Sequence, residues 1–222
     1  MDTRTTTSAE PVEISAPAKD PLAPRVIVGA VAAVLMLLAI GLPLWATKLS
    51  APQYPDGLTL TAYGNRVTGD VKEISALNHY VGMAPFDVSD YPEIKLWIPT
   101  VIAAVVAGAV ATIFGRRWPG RLARLFVWAV PIGVLLDIQF RLYQAGHDLH
   151  EGAAIRVDPF TPLVLGPTKV LNFSVLALPG LGVLLFLLAA ALLSFGPMLL
   201  SKVTGRVARS APSRAGEPAG GP

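Results

Sequence analysis

Long apolar runs dominate the pattern of the chain, and polar segments separate them. Four of these runs approach the roughly 20 residues that a helix needs to cross a hydrocarbon core of about 30 Å. They cover residues 26–46, 96–114, 122–143 and 170–193. We therefore predict an all-α integral membrane protein with four transmembrane helices, in a membrane domain that covers residues 25–201.

The connections between the runs differ in length and composition. Residues 115–121 are rich in glycine, proline and arginine, so the second and third helices should form an antiparallel hairpin. The longer connections, 47–95 and 144–169, should lie on the opposite side of the membrane. In the first of them, residues 58–63 alternate apolar and polar positions before a turn at Gly64 and Asn65, which leaves room for a small β-hairpin.

Composition agrees with a membrane protein and narrows its chemistry. Hydrophobic residues make up 53% of the 222 residues, more than a soluble domain with a polar surface carries. The chain has no cysteine, which excludes disulfides, thiolate metal sites and a thiol nucleophile. Its net charge of +3 is not accompanied by an aromatic and basic surface pattern, so we expect the lipid bilayer and no nucleic acid as a partner.

The basic residues predict the orientation. Most of the 18 Lys and Arg residues fall in the two tails and in the short second connection, and positive charge favours the cytoplasm. They are Arg4, Lys19, Arg25, Arg116, Arg117, Arg121, Arg124, Lys202, Arg206, Arg209 and Arg214. We predict a multi-pass protein of the bacterial cytoplasmic membrane with both termini inside and with disordered tails over residues 1–24 and 202–222.

All three histidines fall in the two predicted outer connections. Imidazole and thioether donors together suit copper, and Met83 is the only methionine in these connections. Residues 74–83 have helical spacing that would put His79 and Met83 on one face, and one further turn of the third helix would align His147 with His150. Their alternative roles are packing, hydrogen bonding and helix capping.

Asp137 and Arg141 lie within the third apolar run. About 15 residues from its start at 1.5 Å each place Asp137 about 22 Å into the core, where an acid needs a partner. Arg141 lies one helical turn further out and can pair with it. The two residues therefore form either a structural intramembrane pair or part of an ion or metal path.

Two short motifs carry a family resemblance. Residues 77–83 read LNHYVGM and residues 146–155 read GHDLHEGAAI, followed by PFTP at 159–162. They resemble the LNHYIGM and GHxLDPxAAI/PFTPP motifs of poorly characterised bacterial membrane proteins that accompany nitrous oxide reductase maturation and copper-handling genes. His79, Met83 and His147 match these motifs. Residues 150–152 depart from them, so His150 is not carried over.

The resemblance implies a role in metal-centre assembly or in an associated respiratory system. We expect an accessory protein for copper handling or copper-enzyme maturation that acts with a membrane or extracytoplasmic protein partner. Its metal ligands would be His79, Met83, His147 and His150. One alternative is a structural subunit or assembly factor of a respiratory or transport complex without metal. The other is a metal-dependent membrane oxidoreductase, which requires Asp137 and His147 to converge. The sequence has no hydrolase, zinc-protease or phosphate-loop motif, and we favour a non-enzymatic role.

Overall fold

The fold combines five helices with a β-sheet over the part of the chain that the structure describes. The computed structural model describes residues 22–84, 93–150, 152–170 and 172–210. Its elements in chain order are α1 (Leu22–Leu38), β1 (Pro43–Ala51), β2 (Tyr54–Tyr63), β3 (Val67–Gly69), α2 (Val71–Tyr80), α3 (Glu93–Phe114), α4 (Trp118–His147), β4 (Gly166–Val170), β5 (Phe173–Pro179) and α5 (Leu181–Ser210). Most of the predicted tails, residues 1–21 and 211–222, lie outside the described residues.

Three helices of the described chain are long and apolar enough to cross a membrane. They are Ile94–Phe114, Trp118–His147 and Leu181–Leu199, within α3, α4 and α5. A fourth apolar helical segment, Arg25–Gly41, is shorter and consists of most of α1 and the 3-10 turn that follows it. The protein is therefore a membrane protein.

The predicted all-α fold with four spans is wrong. The apolar run 26–46 is not one helix, because α1 ends at Leu38 and β1 begins at Pro43. Pro43 lacks an amide proton and disfavours helical backbone at the preceding residue, and Leu42 is extended at φ −100° and ψ 154°. The hydropathy of the run therefore hides a change from helix to strand.

The run 170–193 hides the opposite change. Its first part is β5, and α5 begins only at Leu181, after Pro179 and Gly180. The side chains of β5 alternate between the inner and outer faces of the sheet, but Leu176 and Leu178 are 46% and 53% exposed on the outer face. Because both faces carry apolar residues, the strand resembles a membrane helix in composition.

The five strands form one antiparallel sheet in the order β3-β2-β1-β5-β4. Trp45 in the central strand β1 pairs with Ala62 of β2 and with Pro179 of β5. The hairpin expected around Gly64 and Asn65 is present between β2 and β3. The Tyr63 amide closes it by donating to the Arg66 carbonyl at 2.8 Å.

The sheet is attached to the helices through the central strand β1 and its neighbour β5. The strand β1 follows α1, and β5 leads into α5, which packs against α1. At this junction the Gly180 amide donates to the Leu44 carbonyl at 2.8 Å. A side chain at Gly180 would collide with the Pro43 carbonyl, so only glycine allows the two backbones to approach this closely.

Two hydrophobic cores stabilise this arrangement. One lies among α1, α3, α4 and α5, and its fully buried side chains include Met36, Val101 and Phe186. The other lies beneath the sheet around Trp45 and Leu60. The helices α3 and α4 pack together as the predicted hairpin, and the C-terminal part of α4 reaches the second core. This part of α4 therefore connects the membrane helices with the sheet.

Candidate functional site

The two sequence motifs meet through their backbones. The His150 amide donates to the Gly82 carbonyl at 2.8 Å, and the Ile155 amide donates to the Tyr80 carbonyl at 3.0 Å. We call residues 79–83, 147–150 and 152–155 the motif junction. Two segments that are distant in sequence thus form a single surface. One lies at the end of α2 and the other at the end of α4.

Gly82 makes this junction possible. Its φ is +81°, in the left-handed region that side chains disfavour. A Cβ at this position would lie 2.9 Å from the Ala153 Cβ and 3.0 Å from the His150 carbonyl oxygen. The glycine of the LNHYVGM motif is therefore required by conformation and by space.

The predicted shared face of His79 and Met83 is wrong. The helix α2 ends at Tyr80, and the backbone turns at Val81 and Gly82 before it reaches Met83. His79 is exposed, whereas Met83 is half-buried and lines a cavity. The turn therefore gives the imidazole and the thioether different surroundings.

His147 is the last residue of α4 and is oriented by Tyr143. Its ring stacks on the Tyr143 ring with centroids 4.0 Å apart, and its Nδ1 lies 2.9 Å from the Tyr143 carbonyl oxygen. When Nδ1 donates to that carbonyl, the lone pair of the neutral imidazole is on Nε2, an arrangement typical of metal-binding histidines. Of the three histidines, His147 thus has a ring orientation suited to metal binding.

The helical turn expected to align His147 with His150 is absent. The helix ends at His147, and the Asp148 amide makes the closing bond to the Gln144 carbonyl at 2.8 Å. The backbone at His150 instead pairs with Gly82. Within the described ranges, no group of three or more His, Asp or Glu side chains is positioned to hold a metal ion.

Gln139 of α4 holds the loop that follows the second motif. Its amide Nε2 donates to the Pro162 carbonyl at 3.0 Å, and its Oε1 accepts from the Val164 amide at 2.9 Å. The Val164 carbonyl in turn accepts from the Trp45 indole at 2.6 Å. The sequence did not predict this role, and its only signal is an amide side chain in a largely apolar helix.

The end of α4 supports the same loop through Gly146. The Phe160 amide donates to the Gly146 carbonyl at 3.1 Å, and a side chain at Gly146 would collide with the Phe160 carbonyl. The first glycine of the second motif therefore allows the PFTP segment to lie against the helix.

Asp137 and Arg141 line a cavity of about 630 Å³ between the sheet, α2, α3 and α4. Both side chains are half-buried, and each has an interaction partner. Asp137 lies 19 residues after the start of α4 at Trp118, or about 28 Å along the helix. It is therefore near the end of α4 that contacts the core beneath the sheet.

Asp137 and His147 do not converge on one site. The two residues are ten positions apart on α4, which corresponds to about 15 Å along the helix axis. A metal ion with bonds of about 2 Å to nitrogen and oxygen cannot bind both. This separation removes the geometry that the metal-dependent oxidoreductase required.

Comparison with known proteins identified no relative of this chain. No protein-family model matches the chain, and no curated protein matches it. The candidate functional features are therefore interpreted from their own residues: the motif junction and the cavity beside it.

Proposed function

We propose that this membrane protein is an accessory factor for copper handling or for maturation of a copper enzyme of the nitrous oxide reductase type. The observation that supports the proposal is the pairing of the two motif segments through Gly82 with His150 and Tyr80 with Ile155. This pairing joins the segments that carry all three histidines. The resemblance of the same segments to proteins that accompany copper-handling genes supports the choice of metal.

The residue chemistry of the motif junction is suited to transient rather than permanent binding. Imidazole and thioether donors accept cuprous copper, and His79, His147 and His150 are all exposed. An exposed site with few ligands can release its metal to a partner that supplies the remaining donors. Copper exchange with an extracytoplasmic client protein is therefore the activity that we propose.

The proposed topology puts the motif junction on the outer side of the membrane. Arg116, Arg117 and Arg121 lie in or next to the short connection between α3 and α4, at the opposite end of these helices from the junction. Connections between membrane helices that are rich in Lys and Arg lie preferentially on the cytoplasmic side. In this topology α5 leads from the sheet back across the membrane, so that the end of α5 lies on the cytoplasmic side.

Copper affinity tests this function directly. We expect His147→Ala to weaken cuprous copper binding at least tenfold in detergent-purified protein, because it removes the imidazole that Tyr143 orients. A chromophoric chelator would report the affinity in competition. Replacing the exposed Lys72 of α2 by Ala is the control and should leave the affinity unchanged. Equal affinity in wild type, His79→Ala, His147→Ala and His150→Ala would contradict copper binding by the junction.

A second candidate is an assembly factor that holds no metal. Two exposed aromatic side chains next to the histidines favour it, since Tyr80 and Tyr143 are 58% and 48% exposed. Tyrosine is enriched in protein interfaces because it combines a large apolar ring with a polar end. In this case the same histidine variants would retain wild-type behaviour towards copper.

A further inference from the structure

The cavity beside the motif junction is elongated along α4. Its lining on α4 extends from Phe126 to Ala145, which corresponds to about 28 Å along the helix. Its volume of about 630 Å³ falls within the range of about 300–1,000 Å³ that is usual for small-molecule sites. These dimensions suit an extended chain better than a compact ligand.

The cavity is open on the surface of the membrane helices. Leu96 of α3 and Phe126 of α4 line it and are also 61% and 42% exposed. Ala129 and Gly133 of α4 line it and are exposed as well. In a membrane, exposed apolar side chains on spanning helices face lipid. The opening is thus accessible to molecules of the bilayer.

The far end of the cavity lies outside the bilayer. Leu49, Leu60 and Phe173 on the inner face of the sheet line this end. An open sheet with unpaired edges does not occur in the hydrocarbon region, because its backbone groups would lack partners. Phe173 is six residues before Pro179, or about 20 Å along β5 from the start of the membrane helix. The apolar lining therefore continues beyond the membrane.

Polar side chains in the wall are few. Asn78, Asp137 and Arg141 are among them. The guanidinium of Arg141 is a suitable charge for a phosphate group near the outer interface. An apolar space of this kind favours a hydrocarbon chain over water, which needs two to four polar partners.

We propose that the cavity binds a phospholipid of the outer leaflet and holds one of its acyl chains beneath the sheet. With the phosphate at Arg141, this chain extends from there to the inner face of the sheet, and the second chain occupies the opening between α3 and α4. Part of the lipid is thereby withdrawn from the bilayer, next to the motif junction. Met83 lines the same cavity and links the two features in space.

Photocrosslinking at two neighbouring positions of β5 tests the proposal. Photoreactive p-benzoylphenylalanine replaces Phe173, which faces the cavity, or Ser174, which is exposed. The protein is reconstituted in nanodiscs of one synthetic phospholipid and irradiated, and intact mass is measured. We expect an adduct of one phospholipid at position 173 and none at position 174. No adduct at position 173, or equal adducts at both, would overturn the proposal.

A blocking variant provides an independent measurement. A Cβ at Gly133 meets no atom within 4 Å, so Gly133→Leu adds bulk at the opening without displacing neighbours. We expect it to reduce phospholipid retention in native mass spectrometry at least fivefold, whereas Leu136→Phe, outside the lining and 64% exposed, should not. Equal retention would count against the site. In a sample supplied with free fatty acid and phospholipid together, retention of the fatty acid alone would contradict the assignment to phospholipid.

Discussion

At the scale of single residues, glycines determine where the chain segments can meet. Gly82 and Gly146 belong to the two sequence motifs, and each allows a close approach of backbone to backbone. The histidines of the same motifs are exposed. The motifs therefore contain two kinds of residue, glycines that build the motif junction and histidines that are available for chemistry.

Replacing Gly82 by Ala should destabilise the protein by about 1–2 kcal/mol, because the left-handed backbone is strained with a side chain. The close contacts of the added Cβ with Ala153 and His150 should increase this cost. Chemical unfolding in detergent measures the change. Gly152→Ala is the matched control, since a Cβ there meets no atom within 4 Å. Equal unfolding free energies for the two variants would contradict the role of Gly82.

At the scale of elements, hydropathy alone located the membrane segments but did not separate helix from strand. The α3–α4 hairpin could be predicted because a glycine and arginine connection interrupts two apolar runs. The change from helix to strand at Pro43 and the change from strand to helix after Pro179 were missed because the adjoining strands are almost as apolar as the helices. The motif histidines could be identified from sequence, but the pairing of Gly82 with His150 is a long-range contact that no local pattern predicts.

The loop held by Gln139 offers a test at this scale. Gln139→Leu should destabilise the protein by about 1–3 kcal/mol, because it leaves the Val164 amide and the Pro162 carbonyl without this partner. Hydrogen exchange at Val164 should become faster. The control is Gln144→Leu on the same helix. The Gln144 side chain is exposed and accepts a long hydrogen bond of 3.5 Å from Arg141, so its loss should change stability by no more than about 0.5 kcal/mol. Unchanged hydrogen exchange at Val164 in Gln139→Leu would contradict the role of Gln139 in holding this loop.

At the scale of the whole molecule, a sheet is fixed to membrane helices so that a surface and a cavity lie side by side. The strands β1 and β5 continue directly from α1 and into α5, while the long helix α4 extends to the sheet. The motif junction forms where α2 and α4 end. The three histidines thus lie at or next to the ends of α2 and α4, which makes the junction the central feature of the proposed function.

Crosslinking in intact cells tests that central feature most directly. The chain has no cysteine of its own, so only the introduced thiols can react. Cysteines replace Tyr80 and Ile155, which are 58% and 49% exposed and paired through their backbones. A short bifunctional thiol reagent that does not cross membranes should join them within one chain. In the control, cysteines replace Tyr80 and Arg117. The helix α4 has 30 residues and a length of about 45 Å, and it separates these two positions, so no crosslink should form. Failure to crosslink positions 80 and 155, or labelling of position 117 from outside, would contradict an extracytoplasmic motif junction.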